Sequence, residues 1–247
     1  TVTDLEKLQR DVFSPTAYRL SREFVQSAPE ELSGLPLVQA VASWNGEYTA
    51  DSEGAVAFEL WLNSFIESYP DEKYEKDYFR DWSYLGTRLP RDIEALAPEA
   101  RETLYRTSLR TAEAQWEKYP TWGDLHRLRV GHLLAALPGV GRFFVYDRFP
   151  ADGSRETVYK TAHGLVDEPH DSRYGSQSRH ISSMADADDN WFVLFGGQDG
   201  WIGSEHFSDQ VPLWRKGEYL RVPLREETVK QEFSRRTVLR PESASAK

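Results

Sequence analysis

The chain has 247 residues and a formal net charge of −10 at neutral pH, which argues against nucleic acid or an anionic membrane surface as its main partner. Hydrophobic residues make up 39% of the sequence and aromatic residues 13%, a composition typical of a folded protein rather than a disordered one. The absence of cysteine excludes disulfide bonds, thiolate catalysis and cysteine-based zinc sites, but it does not fix the compartment. No segment approaches the roughly 20 apolar residues that span a bilayer.

The first 137 residues carry the three- and four-residue apolar spacing of amphipathic helices. Thr3 followed by Glu6 is a capping-box pattern, and Pro98 suits the first position of a helix. The predicted helices are one from about Asp4, one over residues 16–26, one over 33–42, one capped by Asp51 or Ser52, one over 71–85 and one that starts at Pro98.

Periodicity shortens after Pro138, where turn residues multiply. Strands are predicted over residues 142–146 and 157–161, followed by a hairpin over 177–184 and 191–195 and short helices over 211–215 and 226–233. Helices first and antiparallel strands after them indicate an α+β fold. We expect a mainly helical lobe at residues 1–137, an antiparallel β-rich segment at 138–235 and a polar tail at 236–247, all within one structural unit.

The turn of the predicted hairpin has the carboxylate density of a calcium loop. It holds Asp186, Asp188, Asp189 and Asn190, but the glycine at the sixth position and the distant glutamate of such loops are missing. A solvated hairpin turn is therefore the favoured interpretation.

Histidines could also hold zinc, but none of them has the short helical spacing of a metalloprotease site. The candidates are His163, His170, His180 and His206. Structural histidines are favoured, and we predict neither a metal site nor a cofactor.

Strand alternation places Ser178, His180 and Ser182 on one face of the first hairpin strand. A hydroxyl beside an imidazole is the minimum for an activated nucleophile, but polar strand positions that face water explain the same pattern. Arg179 falls on the opposite face with Ile181, where we expect it to form a structural ion pair unless that face lines a cleft. The glycine-rich residues 196–200 lack the Lys-Ser/Thr ending of a phosphate loop, so tight packing is favoured there.

Three motifs follow one another in a fixed order. The first is Trp-Gly-Asp-Leu-His at residues 122–126, and the second is Tyr-Gly-x-x-x-Arg-His at residues 174–180. The third combines Gly-Gly-Gln-x-Gly, His-aromatic-x-Asp-Gln and Leu-Trp-x-x-Gly-x-Tyr over residues 196–219. Together they resemble the C-terminal part of the large subunit of the penicillin acylase family of N-terminal-nucleophile hydrolases. With an opening similar to a helix of that subunit, the resemblance spans roughly residues 1–235.

The resemblance implies an enzyme that cleaves an acyl group from an amide. In this family a precursor cuts itself and exposes a serine or its equivalent, whose α-amine serves as the general base. A backbone N–H and an asparagine side chain hold the oxyanion. These groups precede the segment similar to residues 1–4, so no catalytic residue is expected in this chain, Thr1 included. The chain would supply a helical lobe and outer strands of a four-layer αββα sandwich.

The resemblance also implies the partners. These are the remaining acylase sequence, meaning the small subunit and the N-terminal part of the large subunit, and a small-molecule acyl amide. Relatives act on β-lactam side chains, acyl-homoserine lactones or lipopeptides, and many are periplasmic or secreted, so the compartment and the acyl group stay open. The chain by itself is expected to be inactive.

Six motif residues are expected to be structural or to lie at the edge of the site: Arg179, His180, Gln198, Asp199, His206 and Asp209. Asp199 stands where relatives often have serine, and Asp209 is predicted to cap the helix at residues 211–215. Two other functions remain open. One is a noncatalytic helical scaffold or binding module, and the other is a self-contained serine hydrolase that uses Ser178 or Ser182 with His180.

Overall fold

The computed structural model describes residues 1–69 and 84–240, and most of the helix predicted over residues 71–85 lies outside them. This part of the chain has an α+β fold in which helices precede two small sheets. Its α-helices are α1 (Val2–Leu8), α2 (Pro15–Ser27), α3 (Pro36–Ser43), α4 (Glu53–Glu67), α5 (Tyr84–Thr87), α6 (Leu89–Glu94), α7 (Pro98–Trp116), α8 (Trp122–Leu125), α9 (Val211–Lys216) and α10 (Glu226–Glu232). Its strands are β1 (His126–Gly131), β2 (Val145–Pro150), β3 (His170–Ser172), β4 (Ser178–Ser182), β5 (Asn190–Leu194) and β6 (Leu220–Arg221).

Helix α4 is the centre of the helical part. Ser52 caps it, as predicted, and every residue from Gly54 to Ile66 is buried, which fits a helix that is apolar around most of its surface. The ring of Phe24 on α2 lies 5.0 Å from that of Trp61 on α4, measured between centroids. Such aromatic pairs dominate core energetics, and they hold α2 and α4 together.

The two sheets have three strands each, in the orders β2-β1-β3 and β4-β5-β6. Strands β1 and β2 are antiparallel, as are β4 with β5 and β5 with β6. Strand β3, however, pairs with β1 in parallel, so the expectation of antiparallel pairing throughout is wrong at that position. Leu128 of β1, Val193 of β5 and Trp214 of α9 share one apolar core, which joins the two sheets and α9.

Most predicted elements are confirmed with small shifts of their ends. The hairpin forms as β4 and β5, Pro98 is the first residue of α7, and α9 and α10 occupy the predicted positions. The chain starts differently, because Thr1 and Asp4 rather than Thr3 and Glu6 form the capping box of α1. None of the helices within the described ranges combines the length and apolarity that crossing a bilayer requires.

Three strand predictions need correction. Strand β1 lies inside the segment predicted as helical, although its alternating burial shows the period of two that marks a strand. Residues 142–144 belong to a 3-10 helix, Gly141–Phe144, and β2 begins only at Val145. The strand predicted over residues 157–161 is absent, since that segment makes only isolated bridges.

Candidate functional site

The predicted hydroxyl–imidazole pair lies on the exposed face of β4. Nε2 of His180 is 2.7 Å from Oδ1 of Asn190 and 2.9 Å from Oγ of Ser182. Nδ2 of Asn190 donates to the carbonyl oxygen of Val222 at 2.9 Å, which leaves Oδ1 as an acceptor. His180 therefore carries a proton on Nε2, the atom facing Ser182, and cannot accept the hydroxyl proton there. Ser178, the other candidate, takes no part in these bonds.

Arg179 lies on the opposite face of β4 and is only 3% exposed. Its Nη1 donates to the carbonyl oxygen of Trp214 at 2.8 Å, in the last turn of α9. Its guanidinium carbon is 4.4 Å from the ring centroid of Trp214 and 5.1 Å from that of Tyr159. The predicted ion pair is wrong, because no carboxylate of the described residues pairs with Arg179, and burial lowers its pKa. Aromatic faces and the negative end of a helix dipole stabilise the charge instead.

The glycine-rich residues belong to a loop over residues 196–210 that Gln210 closes. The backbone N–H of Gln210 donates to the carbonyl oxygen of Gly196 at 3.0 Å, and its side-chain Oε1 accepts from the N–H of Leu194 at 2.9 Å. A β-carbon at Gly197 would stand 2.0 Å from the carbonyl oxygen of His206. The predicted tight packing is thus confirmed at this glycine. Gln210 belongs to the His-aromatic-x-Asp-Gln motif but was not among the predicted site residues.

Gln198 and Asp199 lie on the open side of this loop. They line a groove together with Arg129 and Arg173. Oδ1 of Asp199 accepts from the backbone N–H of Trp201 at 2.9 Å, and this bond lowers the pKa of the carboxyl group. Asp199 therefore closes a local turn.

His206 and Asp209 form a surface pair in the same loop. Nδ1 of His206 is 2.9 Å from Oδ2 of Asp209, and this hydrogen bond raises the pKa of the histidine. The prediction that Asp209 caps α9 is wrong. No side chain caps that helix, and the N–H of Val211 instead donates to the carbonyl oxygen of Ser208 at 3.2 Å.

The aspartate-rich turn holds the start of α10. Oδ1 of Asp188 accepts from the backbone N–H groups of Leu224 and Arg225 at 3.0 and 2.8 Å, and its Oδ2 accepts from Oγ1 of Thr228 at 2.6 Å. These hydrogen bonds, the one from Thr228 foremost, lower the pKa of Asp188 to about 2. Asp186 pairs with Arg225 at 2.6 Å. A solvated turn is therefore wrong for Asp188, which is buried. Across the described residues, no three side chains of the metal-binding types gather around a common point.

A buried polar network that the sequence did not indicate joins α4 to the segment after β2. Each carboxylate oxygen of Glu59 accepts from the guanidinium of Arg155 at 2.9 Å. The hydroxyl of Tyr48 donates to the same carboxylate at 2.5 Å. Glu59 is fully buried and Arg155 is 4% exposed. The available signal was a glutamate in a helix whose other buried residues are mostly apolar.

A second hydroxyl–imidazole pair lies beside this network. Oγ of Ser154 is 2.8 Å from Nε2 of His163, whose Nδ1 is 2.7 Å from the carbonyl oxygen of Gly164. The carbonyl can only accept, and the guanidinium of Arg155, which can only donate, is farther from Nδ1 at 3.2 Å. The shorter contact assigns the proton to Nδ1, so the serine hydroxyl donates to Nε2. The pair has the tautomer that an activated serine needs, but Ser154 is 1% exposed and His163 is 5% exposed. No substrate can reach a pair so enclosed, and its role is structural.

The Trp-Gly-Asp-Leu-His motif ends in a stack of buried rings. The ring of Trp122 lies over that of His126 with centroids 4.6 Å apart. Nε2 of His126 is 2.9 Å from Oγ1 of Thr161, which itself donates to the carbonyl oxygen of Asp152 at 2.8 Å. His126 therefore donates from Nε2, and its Nδ1 accepts from Nε2 of His170 at 2.7 Å. Burial lowers the pKa of both histidines, which keeps the imidazoles neutral.

Comparison with known proteins adds family information to this geometry. Residues 1–231 match the sequence model of the family described as penicillin amidase. A stretch of 95 residues, 38% of this chain, is 33% identical to the penicillin acylase 2 proenzyme of Pseudomonas sp. (strain SE83). That stretch covers 12% of the proenzyme, so the chain matches only a small part of this curated relative.

Proposed function

The chain belongs to the penicillin amidase family, and from that premise we propose that it is the C-terminal part of an amidohydrolase that cleaves an acyl group from an amine. The match over residues 1–231 carries this proposal. The similar Pseudomonas protein is named as a proenzyme, which supports a precursor that is processed into subunits. The remaining acylase sequence would then be the main partner of this chain.

The proposed reaction proceeds through an acyl-enzyme. The hydroxyl of a nucleophile upstream of this chain attacks the amide carbon, and the adjacent α-amine takes the hydroxyl proton. The same proton passes to the leaving amine as the C–N bond breaks. Water then attacks the ester, the α-amine again transfers the proton, and the carboxylic acid leaves. An oxyanion hole of preorganised donors stabilises both tetrahedral intermediates.

The role proposed for this chain is to build the framework of that site. Three hydroxyl groups that could act as a nucleophile are occupied otherwise: Ser182 faces a protonated nitrogen of His180, Ser154 is enclosed, and Thr1 forms a helix cap. We propose that the two sheets and the helical part complete a four-layer αββα sandwich with upstream sequence. Such a framework would hold the reacting groups without touching the substrate.

The proposed substrate is a small-molecule acyl amide. A β-lactam side chain, an acyl-homoserine lactone and a lipopeptide are the classes to test first, because they are the substrates implied by the resemblance. The groups that would select the acyl chain belong to the upstream sequence in this proposal.

The test uses the product of the gene that encodes this chain, together with all of its upstream coding sequence. We expect the purified protein to release free amine from at least one of these acyl amides, and intact-mass analysis to show processed chains. A hydroxyl-directed inactivator that mimics the acyl-enzyme should add its mass to a peptide upstream of residue 1. Ser182→Ala serves as the matched control, with kcat/KM expected to stay within about twofold of the parent because no base activates that serine.

Two results would overturn the proposal. One is an inactivator adduct on Ser182, Ser154 or Thr1 that disappears in the corresponding alanine variant. The other is a full-length product that hydrolyses none of the three classes of amide.

A further inference from the structure

The outer face of the β2-β1-β3 sheet carries a set of arginines. Arg127 and Arg129 are two residues apart on β1 and are partly exposed, whereas the alternate residues of that strand are buried. In the sheet register Arg129 stands opposite Arg148 of β2, and Arg127 stands opposite Asp171 of β3. Nε of Arg148 donates to Asp171 at 2.7 Å. One acid thus faces three arginines across the strands.

Apart from the pair of Arg148 with Asp171, the positive charge of this face has no ion-pair partner within the described residues. Arg127, Arg129 and Arg173 make no ion pair there, and Nε of Arg127 is buried without a hydrogen-bond partner. Like charges directly opposite each other in a sheet, as Arg129 and Arg148 are, destabilise it. Sheets normally avoid this arrangement, and the chain as a whole is acidic, with a net charge of −10.

Two of these arginines also border a groove with apolar edges. Arg129 and Arg173 line it together with Leu133 and the glycine loop at residues 196–200, and its volume is about 570 Å³. The loop contributes one acid, Asp199, whose carboxylate accepts a hydrogen bond from the backbone N–H of Trp201. Leu133 is 91% exposed, and Trp201, next to the glycine loop, is 70% exposed. Arginine and aromatic residues are also the types enriched where protein partners meet.

We propose that this arginine groove, formed by Arg129, Leu133 and Arg173, with Arg127 next to it on the same face of β1, is the docking surface for an acidic segment of the companion acylase polypeptide. The inference rests on the proposed function for the identity of that companion. Carboxylates of the segment would pair with the guanidinium groups, which present planar arrays of donors that fit a carboxylate. An apolar side chain of the segment would cover Leu133.

The chemistry of the groove favours a peptide segment over a small anion. A free anion needs only the guanidinium groups and leaves the apolar edge exposed. An acidic peptide satisfies both features at once, because its carboxylates and apolar side chains occur along one chain. The positive charge and the apolar edge of the groove together therefore favour an acidic peptide as its occupant.

Photo-crosslinking in the full-length protein tests the proposal. Leu133→p-benzoylphenylalanine places the crosslinker at a groove residue that is 91% exposed, and mass spectrometry identifies the peptide it captures. We expect a peptide from outside residues 1–247 that contains Asp or Glu. The double variant Arg129→Glu/Arg173→Glu should lower the crosslink yield about tenfold or more, since like charges then face each other.

The matched control is Arg91→Glu/Arg110→Glu, which makes the same charge change at two exposed positions of the helical part. Its crosslink yield should equal that of the parent. Should the groove variant fail to fold, the parent still decides the question, because its yield should fall as salt screens the ion pairs. Capture of a peptide from residues 1–247, of a second copy of the chain, or of no peptide would overturn the proposal. A crosslink yield that changes neither with salt concentration nor on charge reversal would also overturn it.

The crosslink and the amidase assay are independent. A captured acidic companion peptide in a protein without amide hydrolysis would leave the docking surface in place and remove the proposed reaction. Amide hydrolysis without such a crosslink would do the opposite.

Discussion

Replacing Glu59 by Gln should destabilise the protein strongly, because it leaves the buried Arg155 without its counter-charge. The two side chains share two hydrogen bonds of 2.9 Å, with exposures of 0% for Glu59 and 4% for Arg155. Removing one partner of such a buried pair costs about 3–5 kcal/mol. The glutamine keeps the size of the side chain, so the loss measures charge and hydrogen bonding rather than a cavity. Urea unfolding of the full-length protein gives the free energy of unfolding; a change of about 3 kcal/mol moves the midpoint by roughly 1–2 M.

Two further variants sharpen this measurement. Glu53→Gln, at the exposed first turn of the same helix, should cost less than about 1 kcal/mol. The double variant Glu59→Met/Arg155→Met removes both charges. Its loss of unfolding free energy should be about 2–3 kcal/mol smaller than the summed losses of the two single methionine variants, because no unpaired charge is then left buried. A loss below about 1 kcal/mol for Glu59→Gln, or strict additivity in the cycle, would refute the claim that the pair acts as one buried unit.

Other regions give three shorter predictions. The pKa of Asp188 is about 2, below its ordinary value of 3.8, so its contribution to stability should be complete above about pH 4 and lost as pH falls toward 2. Amide exchange of residues 222–233 should rise over that interval, and a flat profile would contradict the claim that Asp188 fixes the segment before α10. Arg179→Met should lower the free energy of unfolding by about 2–3 kcal/mol, measured by urea titration, because it removes a buried charged hydrogen bond and two ring contacts. Gly197→Ala should lower the free energy of unfolding by about 2 kcal/mol or more, since the added β-carbon would stand 2.0 Å from a carbonyl oxygen. Gly200→Ala is the control, because its β-carbon would meet no atom within 4 Å, and it should leave thermal unfolding unchanged. Equal effects of the two variants would show that the loop is not closely packed at Gly197.

Local signals predicted much of the secondary structure. Ser52, Pro98 and the turn of the hairpin at residues 186–189 are features whose effect is exerted within a few residues, and the elements beside them form as predicted. A local signal gave a wrong prediction where two capping patterns overlapped in the sequence. Thr1 with Asp4 competed with Thr3 and Glu6 for the same cap, and the structure uses the first pair.

Long-range pairing could not be predicted in this way. Strand β3 pairs in parallel with β1, and His126 stands beside His170, 44 residues further along the chain. Glu59 and Arg155 are separated by 96 residues. A single sequence carries no signal for partners at such distances, because many glutamates and arginines of the chain could pair equally well. A charged residue among the apolar residues of a buried helix indicates that it has a partner, but it does not identify that partner.

The residues of the sequence motifs contribute to backbone packing more than to chemistry. In the loop motif, Gly197 admits a carbonyl oxygen and Gln210 closes the base of the loop. In the strand motif, Gly175 would carry a β-carbon only 2.1 Å from the carbonyl oxygen of Lys160, and Arg179 bonds the end of α9. A motif whose residues are needed for backbone packing identifies a fold family even when the reacting groups of the enzyme lie elsewhere in the sequence. The reason is that the packing fails if those residues change. This is why the chain matches its family over residues 1–231, while the serine and histidine in its most suggestive pair, Ser182 and His180, form an ordinary hydrogen-bond group on a strand.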